Sequence, residues 1–125
     1  DDVINVSGHR MSTAEIEHTV ISHKKISDAA SIAIPDEITG EAIVVFFVAE
    51  NKDDTNLENE ITEHISKKIG KIAKPRFIIQ LTDLPKTRTG KIMRRLLKSK
   101  ILGKSLGDLS SLENPHILNE IQKIN

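Results

Sequence analysis

Apolar residues along this chain follow two rhythms, and each predicts a different element. Ile43 to Val48 (IVVFFV) is an unbroken apolar run rich in β-branched and aromatic residues, which predicts a central strand covered on both faces. Before it, Ile26 to Ile34 alternates through Ala30, Ile32 and Ile34 and predicts a strand with one buried face, stopping at Pro35. Pro35 to Glu41 reads as a polar loop, so the two runs form an antiparallel pair. Val3, Ile4 and Val6 make a short strand ahead of a Ser7-Gly8 turn, and Phe77, Ile79 and Leu81 a third sheet strand.

Helical spacing accounts for the rest. Ser12-Thr13-Ala14-Glu15 has capping-box spacing and opens a helix to about Ser22 that buries Ile16 and Val20. Thr55 and Glu58 repeat that spacing before Leu57, Ile61, Ile65 and Ile69, a stripe closed by Gly70 as C-cap. Ile92, Met93, Leu96, Leu97 and Ile101 line a third helix with a basic opposite face. Asn114-Pro115 reads as an N-cap with proline at the first position of a short final helix. Without a βαβ rhythm the class is α+β: a small, mostly antiparallel three-stranded sheet with packed helices and a short N-terminal two-stranded ribbon. The 125 residues amount to one domain without internal repeats.

Charge changes this picture more than composition does. The formal net charge is zero, yet 13 of the 18 lysines and arginines fall between Lys67 and Lys104 with one acid, Asp83. That stretch is prepared for anions. A solvated basic face and a nucleic-acid surface are both compatible with it. Stacking residues argue against the latter, since the chain has no Trp or Tyr and its three Phe lie in apolar runs. No run approaches the roughly 18 apolar residues of a membrane span, and no signal-peptide pattern opens the chain. We expect neither a nucleic-acid nor a membrane partner. Absence of cysteine removes thiol catalysis and disulfides and suits a reducing cytoplasm.

Catalytic motifs are few. The five histidines are scattered, His18 and His23 are awkwardly spaced for one helix face, and no metal site is expected. There is no G-x-S-x-G nucleophile elbow. Gly90-Lys91 fails as a P-loop, because Pro85 stands where that motif needs glycine and Ile92 where it needs Ser or Thr. PKTRTGK instead reads as a loop with Pro85 at its base and Gly90 near its tip, carrying Lys86, Arg88 and Lys91 outward. Such a loop can insert a cation into another domain's pocket.

Three stretches taken in order, DDVINVSGHR with TAEIE, AIPDEITGEAIVVFFV, and LPKTRTGKIMRR, resemble the C-terminal domain of the AMP-forming acyl-CoA synthetases of the adenylate-forming superfamily; LGDLSSLENP resembles the tail of the acetate-activating branch. The resemblance covers essentially the whole chain. It implies a mobile domain that rotates against a large N-terminal domain between two half-reactions: a carboxylic acid and ATP, with Mg2+, give acyl-AMP, and coenzyme A then takes the acyl group.

By that resemblance Lys91 is the catalytic lysine of the first step, Ser7 and Gly8 line the thiol channel, Arg10 lies near the nucleotide phosphates, and Asp1 is the hinge. Acetate is the expected acid, with propionate or a hydroxypropionate as alternatives. A lysine acetyltransferase and deacetylase acting on Lys91 are further implied partners. Two positions depart from the pattern: Ser66 stands where an arginine assists coenzyme A binding, with Lys67 and Lys68 as substitutes, and Ser12 replaces a glycine. The phosphate loop, acyl pocket and adenine site belong to the other domain, so the isolated domain is expected to be inactive. Arg94 and Arg95 receive no role.

Overall fold

The computed structural model describes residues 3–124. Asp1, the expected hinge, lies outside them. The elements run β1 (Val3–Val6), β2 (His9–Ser12), α1 (Thr13–Ile21), β3 (Ile26–Asp36), β4 (Gly40–Ala49), α2 (Glu58–Lys68), β5 (Phe77–Gln80) and α3 (Arg94–Leu102), with 3-10 turns at Lys71–Ala73 and Pro115–Glu120. None of the helices among the described residues is long and apolar enough to cross a membrane.

β4 is the axis of the sheet. Every residue from Ala42 to Phe47 is buried, as the continuous apolar run predicts. Strand alternation sends Ile43, Val45 and Phe47 to one face, where they meet Ile16 and Val20 of α1 and Ile61 and Ile65 of α2. Val44 and Phe46 point the other way, onto Leu96, Leu97 and Ile101 of α3 and onto Ile117, Leu118 and Ile121. The two apolar layers therefore clamp the strand on which everything else is hung.

β3 pairs antiparallel with one edge of β4 along its length, from Ile26↔Ala49 to Asp36↔Gly40. β1 and β5 share the other edge. The β1–β2 ribbon joins through Val6↔Gly40, which extends the expected three strands into one five-stranded sheet. β5 runs parallel to β4, from Val44↔Phe77 to Phe47↔Gln80. Parallel neighbours need a crossover, and α2 lies on it. A single βαβ-like connection is thus present that the sequence pattern did not announce.

Local expectations divide instructively. Ser12 caps α1 as its spacing predicts, accepting from the Ala14 and Glu15 N–H groups at 3.1 and 3.4 Å. The Thr55 capping box does not form: Leu57, almost fully buried, stands at the N-cap of α2 and makes no side-chain cap bond. Burying the leucine outweighs a cap worth about 1 kcal/mol. Pro35 to Glu41 is mostly strand rather than loop, with Pro35 opposite Glu41 and only Glu37, Ile38 and Thr39 left to turn. β3 is an edge strand, where proline is tolerated.

That turn is closed by one carboxylate. Asp36 accepts from the Ile38 and Thr39 N–H groups, from Thr39 Oγ1, and from Arg76 at 2.8 Å. The Arg76 guanidinium, helped by these N–H donors, holds the Asp36 carboxyl well below the usual carboxylate range. A depressed folded-state pKa contributes stability above the unfolded value, near pH 4, that is lost as pH falls. Asp36→Asn is accordingly expected to lower the melting temperature at pH 7. Thermal melts should show the gap to wild type closing below about pH 4; a gap independent of pH would contradict this account of the turn.

Candidate functional site

The PKTRTGK stretch is a small folded hairpin. Lys86 pairs with Ile92, the Met93 N–H donates to the Pro85 carbonyl at 2.8 Å, and the Thr87 N–H to the Lys91 carbonyl at 2.9 Å. Inside it the Thr87 hydroxyl accepts from the Lys91 N–H at 3.1 Å. Gly90 has φ +90°, a conformation costly for other residues, with no neighbour within 4 Å of an added Cβ. Glycine is required here for the bend, not for space.

The tail braces the outer side of this hairpin. Glu113 N–H donates to the Lys86 carbonyl at 2.9 Å and Thr87 pairs with Leu112. Asn114 makes no cap for the segment after it. Its side chain accepts from the Lys86 N–H at 3.0 Å and donates to the Leu84 carbonyl at 2.8 Å. The expected N-cap is therefore a clip on the base of the loop, and the helix after it is a 3-10 turn. Backbone groups at the loop base had no other partner, and satisfying them outranks a cap that proline at the next position makes partly redundant.

The loop cations do different things. Lys86 does not reach outward: its ammonium pairs with Asp28 of β3 at 2.7 Å and with Asp83 at 3.8 Å. The bond to Asp28 outweighs burial and raises its pKa. Arg88 is nine-tenths exposed and lies 3.6 Å from Glu113, a pair of little energetic consequence. Lys91 is exposed and has no ion pair or side-chain hydrogen bond among the described residues. A braced loop thus ends in an uncommitted ammonium.

Behind Lys91 lies a buried ion pair that sequence reading missed. Arg94, the first residue of α3, grips Glu17 of α1 through both Nε, at 2.9 Å, and Nη2. Glu17 is 6% exposed and also accepts from the Ser31 N–H at 2.7 Å. One carboxylate thereby fixes α1, β3 and the start of α3, three residues past Lys91. A signal was available: Thr13, Ile16, Glu17 and Val20 follow i, i+3, i+4, i+7 spacing, which places Glu17 inside the buried stripe. Arg95 also gains a role, donating to the carbonyls of Leu106 and Asp108 and so fastening the tail. Thr13, Lys91, Arg94 and Arg95 share an open cleft of about 430 Å³.

The Ser7-Gly8 turn occupies a different cleft. Both residues have positive φ, +50° and +84°, the pattern of a two-residue hairpin turn. Ser7 N–H bonds the Thr39 carbonyl at 2.8 Å, tying this turn to the β3–β4 turn. An added Cβ at Gly8 meets nothing within 4 Å, so its backbone is open to an approaching ligand. Arg10 is exposed, opposite Asn5 in the ribbon. Ser7 lines a cleft of about 200 Å³ with Thr39, Lys71, Lys74 and Arg76. Lys91 and Ser7 therefore line separate clefts, and Gly8 and Arg10 line neither of these two.

The histidines are less scattered than their spacing implies. His23, in the turn after α1, and His64 of α2 meet edge to face with centroids 5.5 Å apart, and His64 Nε2 bonds Ser22 Oγ at 2.8 Å. Burial, then the charge of His23, lowers the His64 pKa. Among the described residues no three His, Asp or Glu side chains are grouped to hold a metal. Lys67, a proposed substitute for the missing arginine, lines this histidine cleft with Glu60 and Glu63.

The structure thus presents an uncommitted lysine on a braced loop and, separately, a glycine hairpin whose Ser7 lines a second cleft. The chain belongs to the AMP-binding enzyme C-terminal domain family, whose model matches residues 15–91. Its relatives include the acetyl-coenzyme A synthetases of Methanothrix thermoacetophila, 43% identical over 99% of this chain and 19% of that protein, and of Pasteurella multocida, 46% identical over 98% and 20%. An acyl-CoA synthetase from Brucella canis superimposes with a TM-score of 0.71 at 33% identity, over 78% of this chain and 18% of that one. The amide bond synthetase McbA from Marinactinospora thermotolerans shares the fold, with a TM-score of 0.72 at 22% identity over 78% and 20%. The chain spans about a fifth of the length of the curated relatives it matches.

Proposed function

We propose that this chain is the mobile C-terminal domain of an AMP-forming acetyl-CoA synthetase, an acid–thiol ligase of the cytoplasm. The observation that carries the reading is the Lys91 ammonium, held out on a braced hairpin without a partner of its own among the described residues. In the first step a carboxylate oxygen of acetate attacks the α-phosphorus of ATP and pyrophosphate leaves with the bonding electrons. Two anions must meet, and negative charge develops between them. A positioned ammonium offsets that repulsion, and its four-carbon stem suits delivery into a pocket on the N-terminal domain.

In the second step the sulfur of coenzyme A attacks the acetyl carbonyl and AMP departs. The Ser7-Gly8 turn serves that step, with the domain rotated about Asp1 so that the second cleft faces the active site. Arg10, exposed beside the turn, fits a contact to nucleotide phosphate. Mg2+ rides with the phosphates of ATP. Acetylation of Lys91 by an acetyltransferase removes the charge the first step needs, and a deacetylase restores it.

The full-length enzyme provides the test. Acetate-dependent exchange of labelled pyrophosphate into ATP is expected, with acetate preferred over propionate and hydroxypropionate. The 125-residue chain alone should give none. Exchange by the isolated chain, or none by the full-length protein with any short acid, would overturn the proposal.

A further inference from the structure

We infer that residues 106–114 are a strap that sets the pose of the Lys91 hairpin, and that Asn114 at its far end is a positioning residue for the first half-reaction alone. The second half of this statement rests on the ligase reading above. The first half rests on the strap. Between Gly103 and Glu113 only Leu112 is buried, with Leu106 and Leu109 half-buried. So little apolar area gains little from the core. Polar bonds at the two ends of the strap fix its course instead. At the near end the Arg95 guanidinium gathers the carbonyls of Leu106 and Asp108. Gly107 stands between them at φ +67°, where an added Cβ would lie 3.4 Å from Arg95 Nη1. At the far end Leu112 pairs with Thr87 and the Glu113 N–H donates to the Lys86 carbonyl. The Asn114 amide then takes the Lys86 N–H and the Leu84 carbonyl together.

These bonds close a ring. The hairpin leads into α3, Arg95 in the first turn of α3 holds one end of the strap, and the other end returns to the base of the hairpin. A two-stranded hairpin is marginal in water when it stands alone, and the strap supplies the third side that fixes its angle to the helix. Lys91 follows, because its backbone is bonded on both sides to Thr87. Whatever fixes Lys86 and Thr87 therefore fixes the base of the ammonium's stem. Asn114 lines neither the Lys91 cleft nor the Ser7 cleft. It acts through the hairpin and not by touching a ligand, and only the step that uses Lys91 depends on it.

Asn114→Ala in the full-length enzyme tests this, with Gly107→Ala as a second variant that strains the near end and Asn119→Ala as an exposed control. Asn114→Ala should lower kcat for acetyl-AMP formation about 10- to 100-fold, the scale of a misplaced catalytic group. KM for acetate and ATP should stay within about threefold, as should thioester formation from supplied acetyl-AMP. The readout that a merely structural role would not give is the combination with Lys91→Ala: the double variant should be no slower than Lys91→Ala alone, within about twofold, because both changes act on one ammonium. Multiplied losses, or equal loss in both half-reactions, would overturn the inference. Trypsin nicking after Arg88 reads the strap without any reaction. It should quicken about tenfold in Asn114→Ala and Gly107→Ala, since nicking tracks the population of opened hairpin, and stay unchanged in Asn119→Ala. Unchanged nicking in the first two would sink the strap itself. Faster nicking with Lys91→Ala as active as wild type would keep the strap and sink the ligase reading together with Asn114's part in it.

Discussion

Lys91→Ala in the full-length enzyme is expected to slow acetyl-AMP formation by about 10² to 10³-fold, the usual effect of deleting one positioned electrostatic donor. The expectation follows from where the chain spends its cations. Lys86 is bonded into β3 through Asp28, Arg94 is bonded to the buried Glu17, and Arg95 is fastened to the tail. None of these can follow a ligand. Lys91 alone among these four has no side-chain partner among the described residues, and the hydrogen bonds around it involve its backbone. Removing its side chain therefore leaves the hairpin intact and deletes only the charge. Lys91→Arg should recover little, because a planar fork does not reproduce the compact ammonium at a site built around one. Chemical acetylation confined to Lys91 should match the alanine variant. Pyrophosphate exchange measures all three.

Arg94→Ala is the second large effect, and it acts on stability first. Breaking a buried ion pair typically costs 3–5 kcal/mol because the remaining charge is left buried. Arg94 is itself about a third exposed, and Glu17 keeps the Ser31 N–H, so a loss of about 2–3 kcal/mol is the reasonable scale here. Urea denaturation of the chain measures it. Arg94→Lys should restore part of the loss, keeping charge without the two-pronged grip on the carboxylate. Because Arg94 begins the helix that follows the Lys91 hairpin, the proposed function predicts that the alanine variant also lowers the adenylation rate in the full-length enzyme under conditions where it stays folded. A variant as stable as wild type would contradict this, showing that Glu17 is held adequately by Ser31.

What the sequence disclosed depended on whether the deciding interaction was local. IVVFFV announces a strand buried on both faces because such a run has no other comfortable place, and β4 is that strand. Ser12 caps α1 because its partners are two and three residues away. The features that escaped are settled at long range. Thr55 lost its cap to the burial of Leu57; Asn114 turned to Leu84 and Lys86, about thirty positions back; and β5 chose a parallel partner across α2. The Glu17–Arg94 pair joins residues 77 apart. Its helical spacing nevertheless marked Glu17 as buried, and a buried carboxylate asks for a cation.

The site was legible in the same uneven way. PKTRTGK reads from sequence as an outward cationic loop, and the structure keeps Lys91 and Arg88 outward while withdrawing Lys86 into an ion pair. Ser7 and Gly8 read as a turn and are one. That the turn and Lys91 line separate clefts could not be read from spacing, since it depends on the ribbon joining β4 through a single residue pair.

Two clefts for two half-reactions is the central claim, and one paired measurement on the Lys91→Ala full-length enzyme bears on it most directly. Acetyl-AMP formation and thioester formation from supplied acetyl-AMP are each compared with wild type. The account predicts a loss of about 10²-fold or more in the first, with the second within about threefold, because the Ser7 cleft does not include Lys91. Equal loss in both half-reactions would contradict it.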